Sequence, residues 1–156
     1  MTVQIVVVED LADWKFSELD LPVVHVDDYL TGKEYFSQRN LQVVNLCRSY
    51  KYLSIGYYSS LLAEARRHRV IPSVKSMLDL SSKAMYGLDT ADLDERIQRS
   101  LKKQAGEESF ELDLFFGQCE PEGLSSVARQ IFEVFPCPLL RVTFRRRGSW
   151  FIDSIR

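Results

Sequence analysis

The chain has 156 residues, 46% hydrophobic and 27% charged, with a formal net charge of −2 and a pI near 5.7. That length fits one domain spanning 1–156 with a core of its own. The composition excludes a disordered or fibrous chain, and the near-neutral charge gives no whole-molecule field to draw in nucleic acid or an anionic membrane.

Met1 to Asp10 lacks a basic region followed by an apolar run and a small-residue cleavage site, so a strand and not a signal peptide is expected there. No apolar stretch approaches the roughly 18–20 residues of a membrane span. Cys47, Cys119 and Cys137 are an odd count at wide spacing, with no Cys-x-x-Cys pair. Free thiols in a reducing compartment follow, which points to the cytoplasm.

Gln4 to Val8 is a β-branched run that reads as a strand buried on both faces. Glu9 to Leu21 has no helical stripe and is expected to be loop, followed by a short strand over Pro22 to Val26. Asp27 or Asp28 can cap a helix running through Tyr29, Leu30, Tyr35 and Phe36. Leu41 to Cys47 reads as a third strand. After a polar, aromatic loop over Arg48 to Leu53, Ser54 is a suitable N-cap for a helix starting at Ile55. Tyr58, Leu61, Leu62 and Ala65 have the i, i+3, i+4, i+7 spacing of a core-facing stripe. Arg69 to Val74 returns to strand, with Pro72 favouring an edge or a strand end, and completes a βαβ unit.

Ser76 to Gly87 is expected to hold a short helix ended by Gly87. Thr90 to Gln104 reads as a largely solvated helix, with a narrow stripe of Leu93, Ile97 and Leu101. Asp92–Arg96 and Glu95–Arg99 make i, i+4 pairs on that helix. Phe110 to Gly117 is a strand, and Leu124, Val127, Ala128, Ile131, Phe132 and Phe135 form a strong helical stripe ending before Pro136. Leu139 to Arg145 and Ser149 to Ile155 pair as a hairpin around Gly148. The fold class expected is α/β: a mixed, largely parallel sheet covered by helices, with a C-terminal antiparallel hairpin.

The chemistry-bearing motifs are sparse. Seven glycines never form GxGxxG or GxxxxGK[ST], and His25 and His68 are too few and too far apart for an obvious metal site. His25, within a strand pattern, reads as a structural histidine, and Cys47 as a nucleophile would need neighbours that nothing local supplies. Arg66-Arg67-His68-Arg69 sits where cations complement a helix carboxyl end, which outweighs a nucleic-acid role. Arg145-Arg146-Arg147 at a hairpin tip protects the turn and edge or contacts a partner. No base, nucleophile and metal set can be assembled, so no catalytic or metal-binding residue is assigned.

The best ligand-binding candidate is Arg48, Ser49, Tyr50, Lys51, Tyr52, Ser54 and Tyr57, with Tyr58 alongside. These lie between a parallel strand's carboxyl end and a helix amino terminus, where open α/β sheets place ligands and orphan N–H groups favour an anion. Arg48 and Lys51 add cations, and the tyrosines add flat surfaces with hydroxyl donors.

At this segment the chain resembles a known family. VVNLCRSYKYLSIGYYSSLLAEARRHRVIPSV looks like the signature of the RimK-like ATP-grasp amino-terminal domain. The flanks VVVEDLADW, VDDYLTGKEYF, FELDLFFG and FPCPLLRVTFRRRGSWFIDSIR agree with it. The resemblance implies an accessory domain preceding an ATP-grasp region that activates a carboxylate with ATP and joins it to an amine, as in glutamate addition. It places the ATP and magnesium sites in a C-terminal region beyond Arg156, so no cofactor is expected on this chain. The partners implied are that ATP-grasp region of the same polypeptide and a small acidic substrate, with no nucleic acid and no membrane. A free-standing small-anion or small-ligand binding module is the alternative.

Overall fold

The computed structural model describes residues 2–16, 18–82, 93–102 and 106–156. They form two compact units, Met1–Met77 and Leu78–Arg156. In the first, β1 (Val3–Val8), β2 (Val23–His25), β3 (Leu41–Asn45) and β4 (Arg69–Ile71) form a parallel sheet in the order β2-β1-β3-β4. Val7 of β1 lies opposite Val24 on one side and Asn45 on the other. The β-branched run of β1 serves both faces, as its sequence predicts. Ile5 and Val7 pack with Val26, Tyr29, Leu41, Val43 and Ala63, while Val6 and Val8 pack with Val44, Trp14 and Leu21.

Helix α1 (Val26–Thr31), the single turn α2 (Lys33–Phe36) and α3 (Ile55–Ala65) belong to the same unit, and α4 (Val74–Leu80) begins in it. The cap of α1 is neither Asp27 nor Asp28: His25 Nδ1 accepts from the Asp27 N–H at 3.1 Å. The two aspartates sit inside the first turn, where their charges suit the dipole. The stretch read as loop contains a 3-10 turn over Leu11–Asp13, capped by the Asp10 carboxylate on the Ala12 N–H at 2.9 Å. Strand β4 is shorter than expected because Ser73 Oγ accepts from the Ser76 N–H at 3.1 Å as α4 begins.

Arg66, from the basic run, has a structural task. Its guanidinium donates to the Tyr29 and Leu30 carbonyls at 2.7 and 2.9 Å, and lies 4.1 Å from the Phe36 ring centroid. It thus satisfies carbonyls near the end of α1 rather than complementing its own helix. His68 is buried, with Nε2 2.7 Å from the Gln38 carbonyl and Nδ1 2.8 Å from the Tyr29 hydroxyl. A carbonyl only accepts, so Nε2 carries the proton and Nδ1 accepts from tyrosine.

In the second unit, β5 (Ser109–Phe115), β6 (Leu139–Arg147) and β7 (Ser149–Ile155) form an antiparallel sheet in that order, with α5 (Asp94–Ser100) and α6 (Ser125–Val134). The parallel and antiparallel strands thus form separate sheets. Gly148, at φ +77°, makes the predicted turn between β6 and β7. Around it, Arg145 pairs with Asp153 at 3.3 Å and Arg146 stacks over Trp150. The Gln98 amide donates to the Trp150 carbonyl at 2.5 Å and accepts from its N–H at 2.9 Å, pairing backbone on edge strand β7. Leu93, Ile97 and Leu101 are buried and Glu95–Arg99 pairs at 3.3 Å. The expected Asp92–Arg96 pair, the helix ends at Thr90 and Gln104, and the Gly87 stop lie outside the described residues.

The α6 stripe holds with one correction. Leu124, Val127, Ala128, Ile131 and Phe135 are buried, but Phe132 is only half-buried, under the Gly117 turn. Phe135→Ala should therefore cost about 3–5 kcal/mol in denaturant unfolding, and Phe132→Ala distinctly less; equal losses would refute this phasing. Burial holds His68 below its ordinary value of 6.5. Its stabilising contribution is intact above pH 6.5, and is lost as the pH falls toward the lowered folded value, because the unfolded chain takes up the proton first. Unfolding free energy should drop from pH 7 to 5, roughly the range across which an unperturbed histidine titrates. A His68→Gln variant should flatten that slope, and an unchanged slope would assign the acid sensitivity elsewhere.

Candidate functional site

Strand β1 leads toward β2 on one side and β3 toward β4 on the other, so the carboxyl ends of the two central strands are the switch point at which open α/β sheets place a ligand crevice. Arg48, three residues past β3, crosses to the segment leaving β1. Its Nε and Nη2 donate to the two Asp13 carboxylate oxygens, both at 2.9 Å, and Asp10 lies 3.9 Å away. The hydrogen bond from Arg48 holds the Asp13 carboxyl below the usual range and in turn raises the guanidinium. Arg48 is therefore at the predicted place but already holds a carboxylate.

Beneath this pair lies a polar lock that the sequence reading missed. Asn45 ends β3 fully buried; its Nδ2 donates to the Gly56 carbonyl at 2.8 Å and to Ser60 Oγ at 2.9 Å, and its Oδ1 accepts from the Cys47 N–H at 3.1 Å. Ser60 Oγ donates onward to the Pro72 carbonyl at 2.6 Å. One side chain thus joins β3, α3 and the segment after β4. A β-carbon on Gly56 would lie 2.0 Å from the Ser49 carbonyl oxygen, so only glycine lets the helix start so close to the loop.

The remaining candidates divide between structural and exposed positions. Ser54 caps α3 as predicted, accepting from the Tyr57 N–H at 3.2 Å and donating to the Ser49 carbonyl at 3.0 Å. Ser49 Oγ accepts from the Lys51 N–H at 3.3 Å. The Tyr50 hydroxyl donates to the Asn45 carbonyl, and Tyr57 is buried. Only Lys51 and Tyr52 of the set are well exposed besides Arg48, and Tyr52 packs edge-on against Tyr57. Cys47 is buried beside Ser59, and burial pushes its thiol up to about 11, which leaves it a poor nucleophile.

The core-facing stripe of α3 is corrected. Gly56, Ser59, Ser60 and Ala63 are buried, whereas Tyr58, Leu61 and Ala65 are exposed and Leu62 is half-buried. The spacing is the expected one, displaced by two residues onto the small side chains that fit against the sheet and the Asn45 lock. The large apolar residues Tyr52, Leu53, Ile55, Tyr58 and Leu61 consequently face outward, each at least 37% exposed. Leu53 adopts a left-handed φ of 66°.

A broad open depression of ≈1130 Å³ runs along β5 in the second unit, lined by Phe115, Leu139 and charged residues. Four of those charges are matched to one another, Asp113 with Arg141 at 2.6 Å and Glu111 with Arg156 at 3.8 Å, and Glu120 also lines the depression. Among the described residues no His, Cys, Asp and Glu group could hold a metal ion, and no helix is long and apolar enough to cross a membrane.

A family model described as the RimK-like ATP-grasp N-terminal domain matches residues 26–156. The chain belongs to that family. Arg48, Asn45 and α3 lie within the match, whereas Asp13 lies before it. No curated protein matches the chain.

Asn45→Ala should lower stability by about 2–4 kcal/mol, since each buried polar group left unpaired costs roughly 1–3 kcal/mol. Amide exchange should quicken first along α3; a variant as stable as the parent would show that the lock is dispensable.

Proposed function

We propose that this chain is the non-catalytic accessory domain of an ATP-dependent carboxylate–amine ligase resembling glutamate ligases. The observation that carries the reading is the family match over residues 26–156. In this reading the ATP-grasp region of the same polypeptide binds ATP and magnesium and performs the chemistry. This domain supplies the crevice at Arg48, where a small acidic substrate is oriented by a guanidinium fork. The exposed apolar side chains of Ile55, Tyr58 and Leu61 on α3, with Tyr52 and Leu53 just before it, support a second task, packing against that region, because exposed large apolar side chains grouped in one segment suit an interaction site. The setting is cytoplasmic, in keeping with free Cys47, Cys119 and Cys137. A free-standing anion module is the weaker reading, since the family match over residues 26–156 is to the N-terminal domain of ATP-grasp proteins.

Residues 1–156 alone should neither hydrolyse ATP nor bind Mg-ATP in calorimetric titration, while a polypeptide joining them to the ATP-grasp region should turn over ATP with a carboxylate and an amine. A micromolar dissociation constant for the isolated chain, roughly −8 kcal/mol, would overturn the accessory reading.

A further inference from the structure

We propose that the Arg48–Asp13 pair is a latch: without ligand, Asp13 occupies the arginine fork that an incoming carboxylate takes, so binding at the crevice requires Asp13 to swing away. This rests on the reading that the crevice orients an acidic substrate, and adds how access to it is controlled.

Four observations carry the latch. The pair spans the two segments that leave the central strands, 35 residues apart in sequence, and so lies at the switch point of the sheet. Asp13 meets Nε and Nη2 through both carboxylate oxygens at 2.9 Å, the side-on arrangement that a ligand carboxylate would reproduce. Both groups are open to water, the Arg48 side chain at 60% and Asp13 at 30%, and exposed ion pairs contribute little net stability, so exchange is cheap. Arg66 is the contrast: it is bound to two carbonyls and packed on Tyr29 and Phe36. Finally, the Leu11–Asp13 turn does not depend on the pair. The Asp10 cap and the Asp13 N–H bond to the Asp10 carbonyl at 2.9 Å hold it, and Lys15 lies where it also attracts the Asp13 carboxylate. The side chain can therefore leave Arg48 while the backbone stays.

The test is an NMR titration of the 156-residue chain with sodium acetate at constant ionic strength, read at the Arg48 Nε–H and neighbouring amides. Asp13→Asn should bring the midpoint to about two- to fivefold lower acetate, the factor by which a surface ion pair competes. Arg48→Gln should abolish the response. Glu9→Gln removes a charge that also acts on Arg48 without vacating its fork, and should shift the midpoint distinctly less. Equal midpoints for Asp13→Asn and the parent would overturn the latch and leave the crevice as a site. A Glu9→Gln shift as large as that of Asp13→Asn would reduce the effect to general charge and also overturn it. No Arg48-dependent response in any variant would remove the crevice reading together with the latch.

Discussion

Asn45 is the residue on which the first unit turns. It ends the central strand β3 at a position with no access to water, and a buried amide without partners would be strongly destabilising. Its bonds to Gly56, Ser60 and Cys47 remove that cost and fix where α3 begins and how closely it lies on the sheet. The same requirement explains the small, partly polar inner face of α3. Ser59 returns its hydroxyl to the Ile55 carbonyl and Ser60 passes the chain of bonds to Pro72, so both hydroxyls are buried without an unpaired oxygen.

The outer face of the helix is a consequence of that inner one. With Gly56, Ser59, Ser60 and Ala63 on the buried side and Tyr57 buried beside them, Ile55, Tyr58 and Leu61 are left on the exposed side. Stability within the unit therefore leaves a large apolar surface uncovered, and Leu53 extends it from a left-handed backbone that glycine would adopt with less strain.

Electrostatics at the crevice follow from topology and proximity. Parallel neighbours whose connections turn to opposite sides of the sheet bring the residues after β1 next to those after β3, and these are acidic on one side and basic on the other. The resulting pair is exposed and exchangeable, unlike Arg66, whose charge is spent on carbonyls and aromatic faces. Two arginines 18 positions apart in one chain thus differ in function because one faces water and the other packs on α1.

The sequence by itself determined the local elements and their class. The β-branched runs of β1 and β3, the Ser54 cap, the Gly148 turn and the 3.6-residue periodicities of α3 and α6 are encoded within a few residues of one another, and the family resemblance followed from the same stretches. Tertiary structure decided the rotation of α3, the half-burial of Phe132, the role of Arg66 and the partner of Arg48. A periodic pattern gives a stripe's spacing, but which side meets the core depends on volume and on buried polar groups contributed by other strands. In α3 the Asn45 amide and the close approach at Gly56 overrode the larger hydrophobic side chains. Asp13 escaped notice because nothing local in a stretch without helical periodicity shows which distant cation it will meet. Only the sheet order brings it to Arg48.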